Sequence, residues 1–373
     1  MPVNAELYLL NNNMSKLNLA IIFGGRSEEH EVSLSSGLGV INSLDKKKYN
    51  IIPIAITKKG NWLIGKKGQM YLDKFKSLAG KENAISEEES QNLVTNKEKK
   101  SLNNFTEGES GKIDLVLPIL HGPYGEDGRI QGFLDTVGIP YIFSGVLANA
   151  VAMNKPMAKI IAKNVGVPVL EDLVIKNKSY NLDEIIKKLN LPIMVKPSEL
   201  GSSVGASKAE SKEELESAIN DCSRYGDVIL EPFFTGREFT VTIVEDPEPQ
   251  VWGITEIIPL ASEFYDYKAK YEEGGSKHIT PAEIPKNIES KMNKYAIDVF
   301  KALNCKTLAR ADFFWNEKEN KIYFNEINTI PGMTPTSLVP EIAKYKGYSY
   351  TKFLDKLIEN SIKKDWITEV SSR

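Results

Sequence analysis

Apolar residues recur along this chain in short bursts that stop at glycine, proline or charge. LAIIF at 19–23 is followed at once by Gly24-Gly25, and DLVLPIL at 114–120 ends at His121-Gly122. Both read as strands, as does Ile51–Thr57, while the stretch Val32–Leu44 reads as a helix. Strands alternating with helices predict a mostly parallel sheet with ligands at the strand ends.

In residues 66–112 Lys, Glu, Ser and Asn dominate and apolar periodicity fades, which predicts a solvated insertion and not a separate domain. A helix follows SGVLANAVAMNK, with Pro156 in its first turn, where a missing N–H costs nothing. From 144 to 232 the elements shorten. A strand at Ile193–Lys196, a Gly/Ser loop at Gly201–Gly205, a helix at Lys212–Cys222 and a strand at Asp227–Glu231 predict a compact α+β unit. Beyond 233 come long strands at Phe239–Val244 and Gln250–Ile258, a loop at 262–280, a helix near 286–303 and a hairpin at 308–328.

That hairpin carries the first chemical signal. LARADFFW (308–315) and KIYFNEIN (321–328) are joined by the polar turn NEKEN. Side chains alternate faces along a strand, so Arg310, Asp312 and Phe314 share one face, and Phe324, Glu326 and Asn328 share one on the partner. If Asn316 lies opposite Ile322, Asp312 falls opposite Glu326. Like charges facing each other across a strand pair are destabilising unless a cation joins them. Three hard oxygens, from Asp312, Glu326 and Asn328, suit magnesium better than zinc. The strand then breaks at Pro331-Gly332, freeing backbone N–H groups beside the metal, where developing negative charge can be held.

A magnesium site that keeps open positions calls for phosphate oxygens. No GxxxxGK[ST] occurs, so the chain has no P-loop. Lys196 instead ends a strand ahead of the loop ELGSSVGASK, whose backbone N–H groups can close over phosphates. Lys155 stands near a helix start, against the helix dipole unless an anion compensates. In Glu231-Pro232-Phe233-Phe234, Pro232 offers a carbonyl and Phe234 an N–H, a pair able to bracket an adenine edge. Taken singly, each of these has a bland alternative: a solvated lysine, a turn, a linker.

Composition narrows the classes. A length of 373 residues predicts two or three domains, and 41% hydrophobic with 26% charged residues is ordinary globular usage. A net charge of −3 asks for neither nucleic acid nor an anionic membrane, and no apolar run is long enough to span a bilayer. Residues 1–18 do not read as a signal peptide; Met14 is an alternative start, and a flexible extension is expected before it. Two cysteines, Cys222 and Cys305, predict no disulfide framework, and a reduced, cytoplasmic setting follows.

Read together, HGPYGEDG (121–128), AMNKPMAK (152–159), VKPSELGSSVG (195–205), REFTV (237–241), FYDYKAKY (264–271), ARADFF (309–314) and NEINTIPGMTPTSLVP (325–340) strongly resemble the D-alanine–D-alanine ligases. GGRSEEHEVSLSSG (24–37) matches that family's first loop, and the resemblance runs in order from about residue 18 to about 360. The resemblance implies a three-domain ATP-grasp fold of α/β and α+β parts. An N-terminal α/β domain would span 19–143, a central α+β subdomain 144–232 and a C-terminal mixed-sheet domain 233–373, after the extension 1–18. It implies ATP, two magnesium ions with manganese as a substitute, D-alanine as substrate and a homodimer.

By the same resemblance, Lys155, Lys196, Ser202, Ser203 and Lys270 attend the ATP phosphates. Glu231, Pro232 and Phe234 meet adenine, and Glu238 meets the ribose. Asn325 and Glu326 complete the nucleotide contacts, while Asp312, Glu326 and Asn328 hold the metals. Glu29, near His121, holds the first D-alanine's ammonium. Ser337 and the Leu338 N–H hold the second substrate's carboxylate, and Arg310 with the Gly332 N–H stabilises the oxyanion. Tyr271 joins a network with Ser202 and Glu29, or is merely packed. Loops 197–208 and 262–280 are expected to close over substrate. Two rivals stay open: a D-alanine–D-lactate or D-alanine–D-serine ligase, and a non-catalytic nucleotide-binding protein on the same fold.

Overall fold

The computed structural model describes residues 16–78, 112–176, 180–260 and 274–363. Residues 1–15, most of the 66–112 stretch, and Lys270 and Tyr271 lie outside them.

The first sheet is built from β1 (Leu17–Gly24), β2 (Tyr49–Ile56), β3 (Trp62–Ile64) and β4 (Leu115–Leu120), in the order β3-β2-β1-β4. Strands β2 and β4 flank β1 in parallel, and β3 closes one edge antiparallel. Both faces of β1 are covered: Leu19, Ile21 and Phe23 enter one core, Ala20 and Ile22 another. That is why these strands read as unbroken apolar runs and not as alternation. Helix α1 (His30–Ser43) connects β1 to β2.

Residues 66–112 begin differently from the solvated insertion expected. Lys66–Ser77 form helix α2, which buries Tyr71, Leu72 and Phe75 in the first core. Their spacing makes one helical stripe, hidden in the sequence by the lysines of the opposite face. Gly68 lets the helix lie against the sheet, since a Cβ there would come within 2.5 Å of the Pro53 carbonyl oxygen.

Three helices follow: α3 (Arg129–Thr136), α4 (Val146–Met153) and α5 (Lys155–Asn164). Asn154 caps α5, its side chain accepting the Met157 N–H at 3.1 Å, with Pro156 in the first turn. Ala148, Ala152, Ala158 and Ala162 pack in the same core as the long strands beyond 237. Helices α4 and α5 thus precede the central unit in sequence but pack with the later one.

The central sheet comprises β5 (Leu173–Ile175), β6 (Ile193–Pro197), β7 (Ser207–Ala209) and β8 (Val228–Pro232), ordered β5-β8-β6-β7. Helices α6 (Leu182–Leu189) and α7 (Lys212–Cys222) cover it, with Ser211 capping α7 through the Glu214 N–H at 3.1 Å.

The third sheet runs β11-β10-β9-β12-β13, from β9 (Arg237–Glu245), β10 (Pro249–Pro259), β11 (Ser276–Ile279), β12 (Leu308–Asn316) and β13 (Lys321–Asn328). Helix α8 (Lys286–Ala302) packs on it. Helices α9 (Leu338–Tyr345) and α10 (Tyr350–Lys363) then carry the chain back to the first sheet, where Phe353, Leu357 and Ile358 join its core.

The hairpin register differs from expectation in an instructive way. Asn316 pairs with Lys321, not Ile322, yet a bulge between Phe313 and Asp312 restores Asp312 opposite Glu326. Phe324 consequently pairs with Phe313 and packs edge-on to it at 5.8 Å. It does not share the Glu326 face, as strict alternation predicts. Asn325 is the extra residue.

Candidate active site

The central and third sheets face each other across a cavity of about 350 Å³. Lys196, at the end of β6, lies on one wall with Glu231 and Pro232 from β8. Glu238, Phe314, Asn325 and Glu326 lie on the other. Neighbours on a regular strand point to opposite faces, but the bulge brings both Asn325 and Glu326 to the cavity. Lys196 spans the walls, its Nζ 2.8 Å from Glu231 Oε2 and 3.4 Å from Asn325 Oδ1. Phe234, which follows β8, stacks on Phe314 at 4.7 Å, giving the far end an aromatic lining.

Burial alone would raise the Glu231 carboxyl, but the Lys196 and Lys159 ammoniums outweigh it and hold it at about 2. Burial likewise opposes the Lys196 charge. Glu231, then Glu326 and Glu238, more than compensate, so its pKa is raised. A charged lysine therefore stands between the two walls of the cavity. Lys155, at the start of α5, donates to the Leu200 carbonyl and lies 3.5 Å from Glu326 Oε2.

Asp312 is buried and accepts two bonds from Arg310, Nε to Oδ1 at 3.0 Å and Nη2 to Oδ2 at 2.8 Å. Asn328, opposite Arg310, accepts the Ile330 N–H at 3.0 Å. Among the described residues no three Asp, Glu, His or Cys side chains group as metal ligands. The hairpin instead offers two carboxylates and an amide, a hard-oxygen set that fits magnesium and leaves room for phosphate oxygens.

A second chamber, of about 520 Å³, adjoins the first and shares Lys155, Leu200 and Glu326 with it. Its groups come from the ends of elements: Glu29 before α1, His121 after β4, Ser202 from the loop after β6, Arg310 from β12, and Gly332 and Ser337 after β13. Ser202 Oγ donates to Glu29 Oε1. Two glycines make room for that carboxylate: a Cβ at Gly122 would lie 2.7 Å from Glu29 Oε2, and one at Gly201 3.0 Å. Ser202 and Ser203 both hold left-handed backbone, at φ 50° and 57°. This turn sends Ser202 into the second chamber and Ser203 into the first.

Burial pulls the His121 imidazole below its usual pKa, and the charge of Glu29 only partly opposes this, so the ring is neutral near pH 7. Its Nε2 lies 3.2 Å from Ser36 Oγ. Burial and the Glu29 charge push the Glu126 carboxyl well up, and it accepts the Gly122 N–H at 2.6 Å. Ser337 precedes α9 and shares a 2.6 Å hydrogen bond with Thr334 Oγ1. The first-turn N–H groups of α9 beside it suit a carboxylate.

Among the described candidates all but Asp312 line one of the two adjoining chambers. Asp312 lies buried on β12, opposite Glu326 and paired with Arg310, and Lys270 and Tyr271 lie outside the described residues. Sequence reasoning missed Lys159, which is buried between Glu231 and Asp172, and gave no role to the buried Glu126. The only signal for Lys159 was its position four residues after Lys155 on a helix whose neighbours Ala158 and Ala162 are small.

The chain is similar over nearly its whole length to known proteins. The profile "D-ala D-ala ligase N-terminus" matches residues 18–144 and "D-ala D-ala ligase C-terminus" matches 161–359. The D-alanine--D-alanine ligase of Acetivibrio thermocellus is 40% identical over 364 residues, 94% of this chain and 96% of that protein. The D-alanine--D-alanine ligase of Bacillus anthracis complexed with ATP superposes with a TM-score of 0.68 at 29% identity, covering 93% of this chain and 97% of that one. The VanG D-Ala:D-Ser ligase of Enterococcus faecalis does so at 0.73 and 33% identity, covering 93% and 99%. With identity of this level over nearly its whole length, the chain belongs to the D-alanine–D-alanine ligase family.

Proposed function

We propose that the two chambers form one site in which ATP drives the joining of two D-alanine molecules through a D-alanyl phosphate. The observation that carries this reading is the shared wall. Lys155 and Glu326 line both chambers, so an ATP γ-phosphate and an amino-acid carboxylate can meet beside them.

The first D-alanine sits with its ammonium at Glu29 and its carboxylate toward the shared wall. A carboxylate oxygen attacks the γ-phosphorus, the bond to ADP breaks, and ADP leaves. Lys155 and Lys196 hold the phosphates, with Ser203 and its loop above them. Adenine lies against Phe234 between Pro232 and the β10 wall, with the ribose near Glu238. Asp312, Glu326 and Asn328 would hold magnesium, which would supply charge neutralisation for the phosphate oxygens.

The second D-alanine anchors its carboxylate at Ser337 and the Leu338 N–H. Its amine, once deprotonated, attacks the acyl carbon, and phosphate departs with the C–O bonding pair. Arg310 and the Gly332 N–H face the oxyanion, each such donor contributing about 3 kcal/mol. The loop 197–208, with the segment bearing Lys270 and Tyr271, excludes water from the acyl phosphate. The division into 19–143, 144–232 and 233–373, with helices α4 and α5 of the middle stretch packed on the third sheet, a homodimer and a cytoplasmic location belong to this reading. No helix among the described residues is long and apolar enough to cross a membrane.

Likeness to a D-Ala:D-Ser ligase keeps D-serine as the second reading for the second substrate. Coupled ADP release with D-alanine alone, then with D-lactate or D-serine added, followed by product identification, separates the two. D-alanyl-D-alanine as the main product from an equimolar mixture is expected; a mixed product in excess overturns the assignment. Equal phosphate release with and without D-alanine overturns the enzymatic reading.

A further inference from the structure

Lys159 lines neither chamber, yet it is only 2% exposed and its charge is fully committed. It projects from α5, whose Ala158 and Ala162 pack with the third sheet. Its Nζ lies 3.0 Å from Asp172 Oδ1, immediately before β5, and also contacts Glu231 Oε1 on β8. A helix packed on one wall of the nucleotide cleft is thereby tied at two points to the other wall. Between these points the chain passes from wall to wall. There Val169 pairs with Phe324 of β13, and the Phe324 N–H donates to the Pro168 carbonyl at 2.8 Å.

Glu231 gives one carboxylate oxygen to each lysine, Oε1 to Lys159 and Oε2 to Lys196. A carboxylate gripped on one side is oriented on the other. Without Lys159, both oxygens would turn to Lys196 and draw its ammonium back from the cleft. A buried ion pair is weak grounds for stability in itself. Here, however, the pair crosses from one wall of the cleft to the other and ends on the lysine read as facing the nucleotide.

We propose that Lys159 is a positioning residue for ATP: through Asp172 and Glu231 it fixes the spacing of the two cleft walls and aims Lys196 at the phosphates. The inference rests on the reading that Lys196 meets those phosphates. It predicts a selective defect, because the D-alanine groups Glu29, His121 and Ser337 touch none of the quartet.

The test compares Lys159→Met, Lys159→Arg, Lys196→Met and the double variant Lys159→Met/Lys196→Met. KM is measured separately for ATP and D-alanine, together with the ratio of ADP released to dipeptide formed. Lys159→Met is expected to raise the KM for ATP about tenfold, leave that for D-alanine within about twofold, and lift the ratio above one as loosened walls admit water. Lys159→Arg restores most of the loss, and the double variant is no worse than Lys196→Met alone. An unchanged KM for ATP and ratio in Lys159→Met, or an equal loss for both substrates, overturns the inference while a raised KM in Lys196→Met leaves the ATP reading standing. An unchanged KM for ATP in Lys196→Met defeats that reading itself. Should Lys159→Met not fold, Asp172→Asn decides: about a threefold rise in KM for ATP alone supports the role, and no rise refutes it.

Discussion

The cavity proposed for the nucleotide draws its walls mostly from strands, whereas the chamber proposed for the amino acids draws most of its groups, Arg310, Glu326 and Asn328 apart, from the turns at the ends of elements. In the cleft, Lys196, Glu231, Asn325 and Glu326 are held on paired strands, and the lysines and glutamates neutralise one another. In the chamber, Glu29 meets Ser202 across 173 residues of sequence, and two glycines make the space for its carboxylate. One region is preset by sheet geometry. The other exists only when three separate units are brought together.

The widest separation between variants should come at the junction of the two regions. Asp312→Asn keeps the shape of a buried side chain but removes the charge opposite Glu326 and the partner of Arg310. Turnover should fall about a thousandfold with KM values little changed, because the loss falls on charge developing in transfer and not on binding. Magnesium-dependent ADP release measures it, with melting temperature as the control for folding. Turnover within tenfold of the parent would remove the hairpin from the chemistry.

On the chamber side, Glu29→Gln keeps a partner for Ser202 but loses the charge facing an ammonium. The kcat/KM for D-alanine should fall about a hundredfold while KM for ATP stays within about twofold. Equal losses for both substrates would mean that the two regions are not separable.

The same contrast explains what was legible in the sequence. The hairpin showed itself because β-rich runs around a polar turn fix which residues can face each other. Alternation failed only at Asn325, since a bulge adds a residue without marking the composition. Helix α2 was hidden because lysines on its outer face drown its three large buried side chains, Tyr71, Leu72 and Phe75, in any average. The amino-acid chamber had no local signature. Glu29, His121, Ser202 and Ser337 sit in four unrelated turns, and only resemblance to a family joined them. Lys159 escaped both routes, since nothing in a helical lysine announces that two carboxylates will bury it.

The smallest effect separates the regions by pH. Glu231 has a folded value of about 2 against an ordinary 4.5, so its contribution to stability is present above about pH 4.5 and is lost as pH falls toward 2. His121 is also depressed, from an ordinary 6.5, but as a base it is buried neutral. The unfolded chain takes up its proton first, so the cost of keeping that ring neutral begins to weaken the fold below about pH 6.5. Denaturant unfolding of the parent, Glu231→Gln and His121→Asn between pH 8 and 3 resolves the two. The gap between the parent and Glu231→Gln should stay flat down to about pH 4.5 and then shrink, whereas that between the parent and His121→Asn should already drift below about 6.5. If both gaps bend at one pH, the charges of the two chambers titrate as a single network, and the contrast between paired strands and open turns does not extend to their electrostatics.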